Sequence, residues 1–200
     1  MSTEKEILQL MQHAILLKEV SRTGWNKKFP KGSKYKSRKV KNAESVADHS
    51  FGTAMLAFFL GSHLKVNIPK LVTMCLVHDI FEATTGDIVT TTLNAANKKR
   101  KVLAKQEMEV KIAKQFSKIG QSGKQIAKLW REIEEGKTQE AKLAVQLDKL
   151  EMNFQAVRYF LRGDTVDPIE FIDSTVPIIQ TPELQKIVKQ LRLRAQKAAI

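Results

Sequence analysis

The sequence predicts an all-α protein built as one domain. Apolar residues recur at the three-to-four spacing of a helix along almost the whole chain, and no alternating strand pattern of useful length competes with them. Glycine or proline falls between the periodic runs. At 200 residues the chain is long enough for one buried core, and nothing marks a second unit. The expected domain is therefore 1–200, with a core over about 7–162 and a C-terminal extension over 163–200.

The first helix is expected over 3–20, where Ile7, Leu10, Ala14 and Leu17 make its stripe. This stretch carries His13, Lys18 and Glu19, and no small-residue cleavage pattern follows it, so it reads as an amphipathic helix and not as a targeting segment. A second helix is expected over 45–65, with Ser45 as its cap and Asp48 standing where a capping box has Glu. Pro69 fits the first turn of a third, 69–84. Leu103, Val110 and Ala113 stripe a helix over 98–119, and Ile126, Leu129, Trp130 and Ile133 one over 122–135, with Trp130 as a core anchor. Helices over 138–162 and 183–198 complete the set. The segment from Gly163 to Pro182 holds three of the five prolines and reads as a long connection.

With 34 Lys and Arg against 21 Asp and Glu, the formal charge of +13 favours anionic partners: nucleotides, nucleic acid or acidic lipid. Lys27, Lys28, Lys31, Lys34, Lys36, Arg38, Lys39 and Lys41 lie in one acid-free stretch with Pro30 and Gly32. It reads either as a solvated, self-repelling loop or as a phosphate-collecting lip over a site. Only Phe29 and Tyr35 are interleaved with these charges, and no zinc-finger spacing or RNA-binding motif accompanies them, so a nucleic-acid partner is possible but not favoured. No uncharged apolar run approaches the length of a membrane span. The single cysteine, Cys75, excludes an intrachain disulfide and points to a reducing, cytoplasmic setting.

The chemistry concentrates at His78-Asp79, adjacent polar residues inside the apolar run from Leu71 to Phe81. Buried polar groups need partners, and one shared metal ion satisfies both. His49 and Asp148 extend the set to two imidazoles and two carboxylates, donors that suit one divalent transition ion among Mn, Co, Fe, Ni, Cu and Zn. On a helix over 69–84, Glu82 would stack one turn beyond His78, close enough to orient or deprotonate a water activated by the ion. Asp87, just past the Gly86 break, could protonate a leaving oxygen or bind a sugar hydroxyl. Each residue alone has a plainer reading, His49 with Asp48 as part of a helix cap and Asp148 as a surface carboxylate. Their joint occurrence favours the metal site.

His49, His78-Asp79 and Asp148, in that order, resemble the H…HD…D signature of the HD phosphohydrolase superfamily. Arg22-Thr23-Gly24-Trp25, the run from Val40 to His49, Val77-His78-Asp79-Ile80-Phe81-Glu82, Gly86-Asp87-Ile88, Leu129-Trp130, Glu140-Ala141-Lys142 and the run from Gln146 to Met152 are similar to the HD-domain 5′-nucleotidases acting on deoxyribonucleoside monophosphates. The likeness spans roughly 7 to 160. It implies a helical HD-domain bundle, usually a homodimer, that hydrolyses (deoxy)ribonucleoside 5′-monophosphates to nucleoside and phosphate. His49, His78, Asp79 and Asp148 then match the metal ligands, Glu82 the residue that positions water, and Asp87 the acid at the scissile end. Arg22 matches a basic residue near the phosphate, and Trp25 a tryptophan that discriminates the sugar. Within the same site chemistry, guanosine tetraphosphate, cyclic nucleotides and deoxynucleoside triphosphates are the alternative substrates. The Glu82 and Asp87 pairing favours small monophosphates. A basic nucleic-acid-binding protein with a structural metal is the alternative outside the enzymes.

Overall fold

Four helices among the described residues, those that start at Val46, Ile68, Gln139 and Pro168, begin at a side-chain cap that the sequence supplies. In the computed structural model, which describes residues 3–29, 31, 33, 36–88 and 95–198 and backbone alone for 95, 96 and 98, nine α-helices and no strand are found among the described residues. They are α1 Thr3–Leu16, α2 Val46–Gly61, α3 Ile68–Val77, α4 Glu82–Thr85, α5 Ala95–Phe116, α6 Gln121–Glu135, α7 Gln139–Leu161, α8 Pro168–Thr175 and α9 Pro182–Lys197. A 3-10 turn, Thr23–Asn26, joins α1 to the basic segment. Pro30, Gly32, Lys34 and Tyr35 lie outside the described residues.

The caps are specific. Ser45 Oγ accepts the Asp48 amide at 3.1 Å while Asp48 Oδ2 accepts the Ser45 amide at 2.9 Å, the reciprocal box expected before α2. Asn67 caps α3 by accepting the Lys70 amide at 3.0 Å, and Thr138 caps α7 by accepting the Ala141 amide at 3.2 Å. The start of α6 is capped from outside: Glu6 on α1 accepts the Ser122 amide at 2.7 Å, at the positive end of the α6 dipole. Gly120 makes this possible, because its φ of +124° suits glycine and a Cβ there would fall 2.1 Å from Glu6 Oε2.

α7 runs through the middle and packs against α2, α3, α6, α8 and α9. Val46, Leu71, Met74, Cys75, Leu147, Leu150, Ile172 and Leu184 are buried in the main cluster that these helices enclose. Trp130 is buried there as expected, its ring 5.1 Å from that of Phe81. A smaller cluster joins Trp25, Val40, Ala156, Tyr159, Val166 and Phe171 under the basic segment. Among the described residues no helix is long and apolar enough to cross a membrane.

Two expectations are corrected. The helix over 69–84 is broken: α3 stops at Val77, residues 78–81 turn, and α4 restarts at Glu82. The His78 imidazole donates from Nδ1 to the Cys75 carbonyl at 2.8 Å, the acceptor that the Asp79 amide would use in a continuing helix. The chain tightens instead, with Ile80 N to Val77 O at 3.1 Å and Glu82 N to Asp79 O at 2.9 Å. The second correction is α8, which lies inside the stretch expected to be a long connection. Pro168 starts this helix, and Asp167 caps it by accepting the Ile169 and Glu170 amides at 3.0 and 3.3 Å. The acids of this same turn hold the basic segment. Lys36 Nζ lies 2.6 Å from Asp167 Oδ2, and Arg38 pairs with Glu170 while its guanidinium sits 4.2 Å from the Phe171 ring centroid. Arg38 is thus committed to α8, while Lys36 pairs with Asp167 from an exposed position.

Candidate metal centre

α2, the end of α3 and α7 each deliver a polar side chain to one point. His49 is fully buried on the face of α2 that meets α7, and Asp148 lies on the α7 face opposite. His78 closes α3, and Asp79 follows it in the turn. His49 Nε2 stands 3.3 Å from His78 Nε2, 3.2 Å from Asp148 Oδ1 and 3.9 Å from Asp79 Oδ2, while His78 Nε2 is 3.2 Å from Asp79 Oδ2. The structure brings His49, His78, Asp79 and Asp148 together.

This donor set fits a cation. Both Nδ1 atoms face acceptors, His49 toward Glu151 Oε2 at 2.6 Å and His78 toward the Cys75 carbonyl. Neutral rings with protons on those nitrogens turn two Nε2 lone pairs toward each other and toward two carboxylates. A divalent ion satisfies all four atoms at once. The metal-free electrostatics follow from that demand. Burial works against a charged His49, but the hydrogen-bonded Asp148 and Glu151 carboxylates overcome it and push the ring up to about 10. Burial also opposes ionisation of Asp79, yet His78 and Arg22 hold that carboxyl well below its usual range. Asp148 is held down in the same sense, by Lys149 and His49 against burial.

The remaining expected residues surround this point. Arg22 Nη1 lies 3.3 Å from Asp79 Oδ2, so its charge is at the site. Glu82 is buried; Oε1 accepts from Lys105 Nζ at 2.6 Å, and Oε2 has no hydrogen-bond partner among the described residues. Burial, reinforced by Asp79 and opposed by Lys105, pushes Glu82 up to about 7. Asp87 Oδ2 accepts the Thr23 amide at 2.6 Å and the Thr23 hydroxyl at 3.2 Å, which clasps the turn carrying Arg22 to the end of α4. Trp25, expected at the sugar, is 2 % exposed. It stacks on Phe171 at 4.7 Å, meets Tyr159 edge-on at 5.0 Å and donates its indole N–H to Glu44 Oε1 at 2.9 Å.

Four residues with no expected role complete the surroundings. Lys105 reaches Glu82 from α5, a stretch whose sequence shows only the Leu103, Val110 and Ala113 stripe. Lys149 Nζ stands 2.8 Å from Asp148 Oδ2. Glu151 holds the far side of His49, and one ligand atom each of Glu44, His49 and Glu151 lie within 4.8 Å of one another. Burial first, then the Glu151 charge, pushes Glu44 up to about 7. Glu44, Lys149 and Glu151 lie in the runs already singled out, and Glu151 also follows Asp148 by three residues, a spacing that shares a helix face.

Comparison with known proteins shows the family. A family model described as HD domain matches residues 16–191. The 5'-deoxynucleotidase HDDC2 of Danio rerio is 32% identical over 188 residues, covering 92% of this chain and 86% of that protein. Its namesake from Dictyostelium discoideum is 33% identical over 186 residues, covering 88% of this chain and 90% of that protein. A solved structure of a conserved hypothetical protein from Pyrococcus furiosus matches with a TM-score of 0.68 at 28% identity, covering 92% of this chain and 98% of that one. The span 16–191 contains Arg22, His49, His78, Asp79, Glu82, Asp87 and Asp148.

Proposed function

The chain belongs to the HD-domain family, and on that premise we propose that it is a metal-dependent 5′-deoxynucleotidase, hydrolysing deoxyribonucleoside 5′-monophosphates to nucleoside and phosphate. The observation that carries the reading is the convergence of His49 Nε2, His78 Nε2, Asp79 Oδ2 and Asp148 Oδ1 beside the Arg22 cation and the unpartnered Glu82 oxygen. The substrate class is taken from the relatives' names, and the whole reaction is assigned to one domain.

His49, His78, Asp79 and Asp148 would hold one divalent transition ion, with Mn, Co, Fe, Ni, Cu and Zn all compatible with the donors. Such an ion supplies Lewis-acid stabilisation of phosphoryl charge and lowers the pKa of water. Arg22 attracts the dianionic phosphate and offsets the charge that grows as the P–O bond breaks. Glu82 orients the attacking water with Oε2 and takes its proton; a carboxyl pushed up to about 7 is a competent base near neutrality. Asp87, fixed by Thr23, stands at the scissile end and relays a proton from solvent to the leaving 5′ oxygen, so that the nucleoside departs as an alcohol. The proton gained by Glu82 and the one passed on by Asp87 balance through solvent. Trp25 stands behind Glu44 in this scheme and serves the sugar only indirectly.

A homodimer in a reducing, cytoplasmic setting belongs to the same reading. Phe51 and Phe58 on α2 and Phe154 on α7 remain exposed, which supports a partner surface, and Cys75 is buried as a free thiol. Light scattering in solution checks the assembly.

The test is phosphate release from a panel of ribo- and deoxyribonucleoside 5′-monophosphates, after chelation and after resupply of Mn²⁺, Co²⁺, Mg²⁺ or Zn²⁺. Metal-dependent release that favours the deoxy series is expected. Equal release from both series removes the sugar preference, and no release from ion-loaded protein overturns the proposal.

A further inference from the structure

We propose that Glu151 is a positioning residue that fixes the His49 ring for the ion, and that Gly52 is the opening in α2 through which it reaches that ring. The inference rests on the metal site assigned above, and it concerns residues to which neither the sequence motifs nor the family comparison gives a role.

His49 is enclosed from both sides by one helix. Asp148 Oδ1 stands 3.2 Å from Nε2, and Glu151 Oε2 stands 2.6 Å from Nδ1. A carboxylate on Nδ1 fixes both the tautomer and the rotation of the ring, and so directs the Nε2 lone pair at the ion. For a ring that is fully buried, rotating away would also leave Nδ1 without a partner, which strengthens the restraint.

Glu151 reaches this position only because α2 carries no side chain at 52. A Cβ on Gly52 would lie 2.8 Å from Glu151 Oε1, closer than packed atoms tolerate, and a tight 3.0 Å from its Cγ, so the Glu151 side chain would have to shift. Gly52 follows His49 by three residues, so the gap lies on the same face of α2, directly over the ring's partner. A glycine in a helix interior is disfavoured relative to alanine. The room it leaves for Glu151 is the structural return.

Behind Glu151, Glu44 and Trp25 close the assembly. Glu44 lies within the same cluster of ligand atoms, and its Oε1 is pinned by the Trp25 indole at 2.9 Å. Trp25 and Glu44 thus bring the smaller core cluster up to the back of the Glu151 and His49 pair.

Co²⁺ binding to the full chain tests the proposal, read by competition with a chromophoric chelator and by the visible absorption of the bound ion. Thermal unfolding of each metal-free variant is followed alongside. Glu151→Ala and Gly52→Ala are expected to weaken Co²⁺ binding by about 10- to 100-fold and to alter the spectrum. Glu151→Gln, which keeps an acceptor for Nδ1, is expected to lose less. Should Gly52→Ala not fold, the difference between the Ala and Gln variants at 151 decides. Unchanged affinity and spectrum in the Glu151 variants overturn the positioning role and leave the metal site standing. A parent protein that binds no Co²⁺ overturns the site and this inference together, and two ions per chain would show that the Glu44 cluster holds an ion itself, which also overturns it.

Discussion

Lys105 Nζ lies 2.6 Å from Oε1 of Glu82, so the carboxylate proposed as the base is held by a lysine reaching in from α5. Glu109 shares the same lysine at 3.5 Å, one turn further along α5. The ammonium is the main influence drawing Glu82 down from a position that burial and Asp79 have raised. Replacing Lys105 by Met should therefore move the acidic limb of the kcat/KM profile to higher pH, because the base must be ionised to act. An Arg at 105 should restore most of the shift. A profile that stays in place in Lys105→Met contradicts this coupling.

Asp79→Ala should lose both bound ion and turnover, whereas Glu82→Ala should keep the ion and lose most of the rate. General-base contributions are of the order of 10² to 10⁴ in rate. Metal content measured by elemental analysis beside kcat separates the two. Equal metal loss in both would make Glu82 a ligand.

Ion binding should release protons. In the metal-free protein burial disfavours a charged His49, but Asp148 and Glu151 prevail and keep it protonated up to about 10. A ligand imidazole must offer a lone pair, so the ion displaces that proton and affinity rises with pH across the neutral range. Calorimetric titration in buffers of different ionisation enthalpy measures the number released. A heat independent of buffer contradicts the protonated ring.

Glu44 makes metal-free stability fall as pH rises. Its pKa goes from 4.5 to about 7 on folding, chiefly through burial, so the folded state keeps a proton that the unfolded chain gives up. Stability from this group is full below about pH 4.5 and is lost progressively until about pH 7. Glu44→Gln keeps an acceptor for Trp25 and cannot ionise. Its melting temperature, relative to the parent, should improve between pH 4.5 and pH 8, and a constant difference would argue against the buried proton.

Trp25→Phe removes the indole N–H that Glu44 accepts and leaves a buried oxygen short of a donor, a loss of about 1–3 kcal/mol. The ratio of deoxy to ribo activity should stay as in the parent. A changed ratio at unchanged stability would return Trp25 to the sugar.

The helices were legible because their stripes are long and their caps are spelled out, as Ser45 and Asp48 show before α2. The break at His78 was not, because Ile80 and Phe81 continue the apolar spacing and the interruption comes from one imidazole bonding to one carbonyl. α8 was hidden by reading Pro168 as the mark of a loop, although proline is at home in the first turn of a helix. The donors of the site stood out as polar types set in apolar runs. Lys105 could not, since it meets Glu82 across 23 residues and only the packing of α5 brings them together.

α7 places Asp148 and Glu151 on the two nitrogens of one ring by helical pitch alone. One residue inserted between them would turn one carboxylate by about 100° and carry it off the imidazole. This stretch of chain is therefore closed to changes of length over evolutionary time, however freely its outward-facing residues are exchanged, and a variant that gains or loses a residue there has to build its site anew.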